Sequence, residues 1–143
     1  VADDLLAVAR ARARANLFWR HLGIDVVDAR PGSIRIRLPI RDELCNAAGA
    51  PLHGGVVASL IDMAIGGALG TLREAAAGGV DQSSIELNVG FIAAARRGDV
   101  FAEGRILKHG RTLAFGEASV TDAEGKLLAI GRATYILLAP RPA

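Results

Sequence analysis

The sequence predicts an α+β fold in which one curved antiparallel sheet packs on a long, buried central helix. Three observations carry that reading. From residue 57 onward, apolar residues recur at Val57, Leu60, Ile61, Ala64, Ile65, Ala68, Leu69 and Leu72, the three-and-four spacing of one broad helical face. Beyond residue 80 the period changes from 3.6 to 2: Ile85, Leu87, Val89 and Phe91 alternate with Ser84, Glu86, Asn88 and Gly90. The later strand patterns are joined by tight turns, and short connections imply antiparallel pairing.

The elements follow in order. Residues 3–21 read as a helix, with Asp3 or Asp4 as N-cap and Gly23 as its end. Arg10, Arg12 and Arg14 fall on alternating faces, as on a solvated surface helix. Residues 24–27 form a short strand, and Pro31-Gly32 is a turn. Residues 33–41 alternate strictly, with Ile34, Ile36, Leu38 and Ile40 on one face and Arg35, Arg37, Pro39 and Arg41 on the other. An irregular loop over 42–52 holds Asn46, Gly49 and Pro51. The central helix begins at Gly54 and runs to about Glu74, with Gly78-Gly79 closing it. Strands over 84–91, 99–108, 111–121 and 126–138 follow, the last two joined by the turn Asp122-Ala123-Glu124-Gly125. Pro140 and Pro142 mark the end. The small residues Ala58, Ala64, Gly66, Gly67, Ala68 and Gly70 let helix and sheet approach closely.

A chain of 143 residues without linker, repeat or low-complexity tract is expected to be a single domain over 1–143. Lys and Arg number 17 against 15 Asp and Glu, so no nucleic-acid partner is expected. Half the residues are hydrophobic (51%), but no apolar run approaches the roughly 20 residues of a membrane span. A single cysteine, Cys45, allows no internal disulfide and fits a reducing compartment. With no signal-peptide pattern, the expected location is cytoplasmic.

Several chemistries are disfavoured. His21, His53 and His109 lack metal-ligand spacing, so no metal is expected. Gly66-Gly67-Ala68-Leu69-Gly70 lies inside the helix, which is not where a dinucleotide fingerprint sits. Ser59 has no G-x-S-x-G setting.

What stands out is Asp62, the only carboxylate between Glu43 and Glu74, on the flank of the apolar stripe. A charge there is costly unless it is paired or used. It is a nucleophile, a general base, or a structural acid bonded to a neighbouring loop. Gly54 and Gly55 lie at the helix start, where the first N–H groups have no intrahelical partner and glycine admits another molecule. His53 is a base or a cap, Asn46 an amide donor or a turn residue, and Ser84 a site hydroxyl or an ordinary strand residue. Lys108-His109-Gly110-Arg111-Thr112 is a basic turn, able to hold a phosphate or simply exposed.

One distance limits these roles. Gly54 and Asp62 are eight residues apart on one helix, hence ~12 Å along its axis. A reacting carbonyl needs its donors and its attacking group each within roughly 3.5 Å. If both residues serve one carbonyl, a second subunit supplies one of them. The functional reading therefore implies a homodimer with sites at the interface.

The motifs Asn46…Leu52-His53-Gly54-Gly55…Leu60-Ile61-Asp62…Ser84-Ile85-Glu86-Leu87-Asn88…Gly98-Asp99…Lys108-His109-Gly110-Arg111-Thr112…Asp122-Ala123-Glu124-Gly125-Lys126…Gly131 resemble those of hotdog-fold acyl-CoA thioesterases of the phenylacetic-acid-degradation (PaaI-like) type. The match covers about residues 16–138. The resemblance implies a hotdog fold, a homodimer or dimer of dimers, and hydrolysis of an acyl-CoA to acid and CoA without a separate cofactor. It implies that the Gly54 N–H and the Asn46 side chain polarise the thioester carbonyl. Asp62 of the other subunit would attack or activate water, with Ser84 beside it and His53 holding the loop. Gly55, Arg96, Arg97, Lys108, Gly110 and Arg111 would meet the CoA. The chain departs from the family at Ala93-Ala94-Ala95, where Arg-Pro-Ala is common, and at Gly90, where a polar residue is common. Two rivals remain: a non-catalytic acyl-CoA-binding hotdog protein, and a hotdog enoyl-CoA hydratase or dehydratase.

Overall fold

The computed structural model describes residues 2–73 and 81–138. Two short helices, α1 (Ala2–Ala15) and α2 (Leu17–Leu22), precede strands β1 (Asp25–Arg30) and β2 (Ser33–Pro39). A single 3-10 turn, Asp42–Leu44, leads to the long helix α3 (Gly54–Gly70). Four strands complete the chain: β3 (Gln82–Phe91), β4 (Asp99–His109), β5 (Leu113–Asp122) and β6 (Leu127–Leu137). All six strands form one antiparallel sheet in the order β1-β2-β4-β5-β6-β3. The α+β expectation of a sheet on a central helix holds.

The N-terminal segment differs from the single helix expected. Asn16 breaks it with extended backbone angles, and its Oδ1 accepts from the N–H groups of Phe18 (3.1 Å) and Trp19 (3.2 Å). Its side chain thereby caps a second helix, a role Asn performs well. Gly23 ends α2 at φ 79°, as expected of a left-handed C-cap. Arg10 and Arg14 are exposed as expected and Arg12 is half-buried, and two of the three also reach main-chain acceptors elsewhere in the fold. Arg10 Nε donates to the Val26 carbonyl (3.1 Å) on β1. Arg12 donates to the carbonyls of Gly70 (2.6 Å) and Arg73 (3.2 Å), satisfying orphan acceptors at the C-terminal end of α3. The helix end lies at Gly70, short of Glu74; Gly78-Gly79, Pro140 and Pro142 lie outside the described residues.

The core is one cluster between α3 and the inner face of the sheet, built on Leu60, Ile61, Ile65 and Leu69 against Ile34, Ile36, Leu38, Val100 and Val120. Helix and sheet touch backbone to backbone. A Cβ at Gly104 on β4 would collide with the Ala64 carbonyl, and one at Gly116 on β5 or Gly131 on β6 would meet Ile65 or Ile61. The sequence reading placed the close approach in the helix's small residues; the strand glycines carry as much of it. On the outer face, Arg35 bonds Glu103 (2.5 Å), Arg37 bonds Asp25 (3.0 Å), and Arg105 bonds Glu117 (2.6 Å), all exposed pairs of small individual worth.

The two edges of the sheet differ. β1 is covered by α1. β3 is open over ten residues, and Ile85, Leu87 and Phe91 stay exposed instead of half-buried as its alternation suggested. A bulge explains part of this: between Ser84 and Glu86 the register with β6 shifts by one residue. Ser84 opposes Tyr135 and Leu87 opposes Ala133, so both face inward although their numbers differ in parity.

The glycine contacts yield a stability prediction. Gly104→Ala should lower unfolding free energy by about 1–3 kcal/mol, because α3 must retreat from β4. Gly90→Ala, whose Cβ would meet nothing closer than 3.7 Å, should stay within ~0.5 kcal/mol. Urea midpoints of the two variants check this; equal midpoints would show that the helix moves freely.

Candidate active site

The site residues divide between two ends of the molecule. At the first end, His53 is the N-cap of α3, and its Nδ1 accepts from the Gly55 N–H at 2.8 Å. Its role in the turn is thus the capping one. The Gly54 N–H has no hydrogen-bond partner among the described residues, as an unsatisfied first-turn donor should. The Phe91 ring at the end of β3 lies against Gly54, where a Cβ would stand 3.5 Å away. Asn46 is exposed on the preceding loop, and its Nδ2 donates to the Pro51 carbonyl at 3.3 Å, a long bond that a substrate can displace. The loop is fixed by main-chain bonds: Leu52 N–H to Ala95 O (2.7 Å), His53 N–H to Leu44 O (2.9 Å) and Asn46 N–H to Pro51 O (3.1 Å). The first of these ties the segment bearing Arg96 and Arg97 to the start of α3. The departure at Ala93-Ala94-Ala95 therefore supplies a structural contact through its backbone. Gly90 has room for a side chain.

At the second end, Asp62 is half-buried two turns into α3. The Tyr135 hydroxyl lies 2.6 Å from Asp62 Oδ1 and 2.9 Å from the Asp62 carbonyl. Tyr135 projects inward from β6 and is buried. Its phenol is held well above the ordinary range, first by burial and then by the hydrogen bond and charge of Asp62; a Ser84 hydrogen bond acts the other way. Ser84 faces Tyr135 across the β3–β6 pair. The bulge at Ile85 is what turns it inward.

The second end also holds the basic turn. Tyr135 pairs with Ala114, which pairs with His109, so one row crosses the sheet from Ser84 to the end of β4. Lys108 and Arg111 are exposed there. Gly110 is required by shape: its N–H bonds the Leu113 carbonyl at 2.8 Å, and a Cβ would stand 2.7 Å from the same oxygen. Arg96 and Arg97 precede β4 at its other end, roughly 30 Å away at ~3.3 Å per strand residue. Arg96, Arg97, Lys108 and Arg111 have no ion-pair partner among the described residues.

One chain thus brings together Asn46, His53, Gly54, Gly55, Arg96 and Arg97. It separately brings together Asp62, Ser84, Lys108, Gly110 and Arg111. It does not bring the two groups together. A concavity of about 980 Å³ lies along the sheet's charged face and touches neither group. No cluster of metal-ligating residues occurs among the described residues, and no helix there is long and apolar enough to cross a membrane.

Sequence reasoning missed Tyr135, Gly66 and Gln82. A Cβ at Gly66 would stand 2.7 Å from the Tyr135 hydroxyl, so glycine makes room for it, and Gln82 Nε2 donates to the Gly66 carbonyl (2.8 Å). A signal was present. Tyr135 shares the parity of Ala129, Gly131 and Ala133, the small residues of β6, and is the only tyrosine of the chain.

A six-stranded antiparallel sheet curved on one long helix, with a glycine-opened helix start and an acid within the helix, defines the hotdog class. Comparison with known proteins is more specific. Residues 51–129 match the Thioesterase superfamily. The chain is 37% identical over 137 residues to acyl-coenzyme A thioesterase 13 of Homo sapiens, covering 94% of each chain. The crystal structure of zebrafish thioesterase superfamily member 2 superposes with a TM-score of 0.78 at 32% identity, covering 96% of this chain and 98% of that one. The PaaI protein of the E. coli phenylacetic acid degradation operon superposes at 0.80 with 18% identity, over 94% and 96%, a likeness of fold. The chain belongs to the thioesterase superfamily, an enzyme family.

Proposed function

We propose that the protein hydrolyses an acyl-CoA thioester to a free acid and CoA at a site shared by two copies of the chain. The observation that carries this is the distribution of residues along β3. Its Ser84 end adjoins Tyr135 and Asp62, its Phe91 end adjoins Gly54, and the strand between them is an open, apolar sheet edge. An open edge of that length is a template for pairing. Antiparallel pairing of β3 with β3 of a second copy, about a two-fold axis, lays each Ser84 end beside the other's Phe91 end. Asp62 of one copy then stands near Gly54 and Asn46 of the other. The same operation unites Lys108 and Arg111 with the other copy's Arg96 and Arg97.

The chemistry then assigns itself. The thioester carbonyl oxygen lies toward the Gly54 N–H, at the electropositive start of α3, and toward Asn46 Nδ2. Both donors strengthen as negative charge develops on that oxygen. Asp62 either attacks the carbonyl carbon, giving an acyl-aspartyl anhydride that water then hydrolyses, or takes a proton from a water that attacks directly. In either course the C–S bond breaks, CoA leaves as the thiolate and takes up a proton that water supplies, and the acid is released. Water is the second substrate and no separate cofactor takes part. Ser84 lies beside the acid, Gly55 lets the substrate approach the helix start, and His53 keeps the turn in shape. The relatives named for acyl-CoA hydrolysis support the substrate class.

Asp62→Asn should lower kcat at least ~10²-fold, with a normal circular dichroism spectrum. Retention of more than a tenth of wild-type kcat would end the catalytic assignment. The shared site is tested by mixing. Asn46→Ala and Asp62→Ala homodimers should each be nearly inactive. After subunit exchange, verified with differently tagged chains, about a quarter of wild-type activity should return: half the dimers are mixed, and each has one intact site of two. No recovery after proven exchange would place both residues in one chain's site or remove one from catalysis. For the CoA phosphates, the Lys108→Ala, Arg111→Ala double variant should raise KM more than it lowers kcat, with the effect fading at high salt. An unchanged KM at low ionic strength would move the phosphates away from this turn.

A further inference from the structure

We infer that Tyr135 is the positioning residue of Asp62: its hydroxyl grips one carboxylate oxygen and leaves the other to act on the thioester. The inference rests on the catalytic reading of Asp62 given above and adds a residue to it.

The geometry is specific. Tyr135 has one proton and stands 2.6 Å from Oδ1 and 2.9 Å from the carbonyl of the same residue. A hydroxyl bonded to a carboxylate at that distance is a charge-assisted hydrogen bond. The two contacts fold the Asp62 side chain against its own backbone and fix its rotamer. Oδ2 makes no hydrogen bond among the described residues, so one oxygen is held and one is available.

The surroundings are arranged around this contact. Gly66 lies one turn after Asp62, and any side chain there would displace the hydroxyl. Gln82 bonds the Gly66 carbonyl and joins β3 to the same turn of α3. The bulge at Ile85 brings Ser84 opposite Tyr135. Asp62 is the only charged residue of α3. The inward residues of β2, β4, β5 and β6 around it are Ile, Leu, Val, Ala and Gly, apart from Tyr135. On the two-copy reading His53 of the other chain comes near as well, with its Nδ1 committed to Gly55. Tyr135 is the side chain that bonds the carboxylate among the described residues, with Ser84 opposite it across β3 and β6. Burial, and then Asp62 itself, push the phenol's titration above the ordinary range, so it is a donor at neutral pH.

A merely structural tyrosine would satisfy the same acid, and the tests separate the two. Tyr135→Phe keeps the ring and removes the donor. It should lower kcat roughly tenfold, the kinetic equivalent of one hydrogen bond to a charged group, with KM within about twofold. On an Asp62→Asn background the same change should cost less than about twofold, because it acts through the carboxylate. Gly66→Ala should reproduce the kcat loss by pushing the intact hydroxyl aside. A readout independent of activity uses the single tyrosine. Phenolate absorbance should rise at lower pH in Asp62→Asn than in the wild type, with Trp19 fluorescence marking the folded range. Wild-type kcat in Tyr135→Phe, a full additional loss on the Asp62→Asn background, or an unmoved phenol titration would each overturn the positioning role while leaving the catalytic reading intact. Undiminished turnover in Asp62→Asn would overturn both.

Discussion

The structure depends on how closely α3 lies on the sheet. Gly104, Gly116 and Gly131, on three adjacent strands, leave a trough in which the helix backbone and the side chains of Ile61 and Ile65 rest. Interiors pack like crystals, so a contact of backbone on backbone permits little sliding or rotation. The trough therefore fixes the rotation of α3, and that rotation decides where Asp62 points. Had the sheet carried alanines there, the helix would ride higher and the acid would leave the reach of Tyr135. Arg12 adds a second restraint by taking the carbonyls at the far end of the same helix. The N-terminal helix, outside the matched superfamily segment, thus contributes to the site through the position of α3.

How much of this was legible follows from what each signal measures. Periodicity reports which face is buried, and it yielded all six strands and the long helix with ends in error by a few residues. It cannot report a bulge, because one inserted residue leaves the alternation on either side intact. The run from Ser84 to Phe91 therefore reads as one regular alternating strand, with Ser84 on the face opposite Ile85 and Leu87. Nor does periodicity say which strands pair: β3 lies beside β6, after the chain has crossed α3 and before three further strands are made. The break at Asn16 was missed because helix-compatible residues lie on both sides of a single capping residue, the alanine-rich α1 before it and Leu17–Leu22 after it. For the site, Asp62 and the glycine pair were conspicuous, since an isolated acid and a helix-start glycine break the local pattern. Tyr135 breaks no pattern. An aromatic residue on a strand is ordinary, and its meaning lies in the glycine it faces on another element.

The two sheet edges show a division of labour that a sequence does not reveal. Natural sheets protect their edges, and β1 is protected by α1 and by Arg10 reaching the Val26 carbonyl. β3 has no such protection among the described residues. Its Ile85, Leu87 and Phe91 stay exposed along an edge where a monomer would place charge or proline. The same strand touches both halves of the site, through Ser84 at one end and Phe91 at the other. On the proposed two-copy reading, association and catalysis are the same requirement: whatever pairs the edge also completes the carbonyl site.

This bears on the rival readings. A hydratase needs an imidazole free to move a proton to carbon and a carboxylate to orient it. His53 Nδ1 accepts from the Gly55 N–H, so that nitrogen cannot donate to an orienting carboxylate. A pure binding domain, in turn, needs no acid at the thioester. It would gain by neutralising Asp62 with a cation, yet the partner supplied by the fold is a neutral phenol that leaves the charge in place and one oxygen free. A carboxylate held by a donor, kept unpaired by any cation and aimed from a rigid helix is costly to maintain in a largely apolar setting. That cost is reasonable where the charge does chemical work, which is why the contact between Tyr135 and Asp62 favours hydrolysis over binding alone.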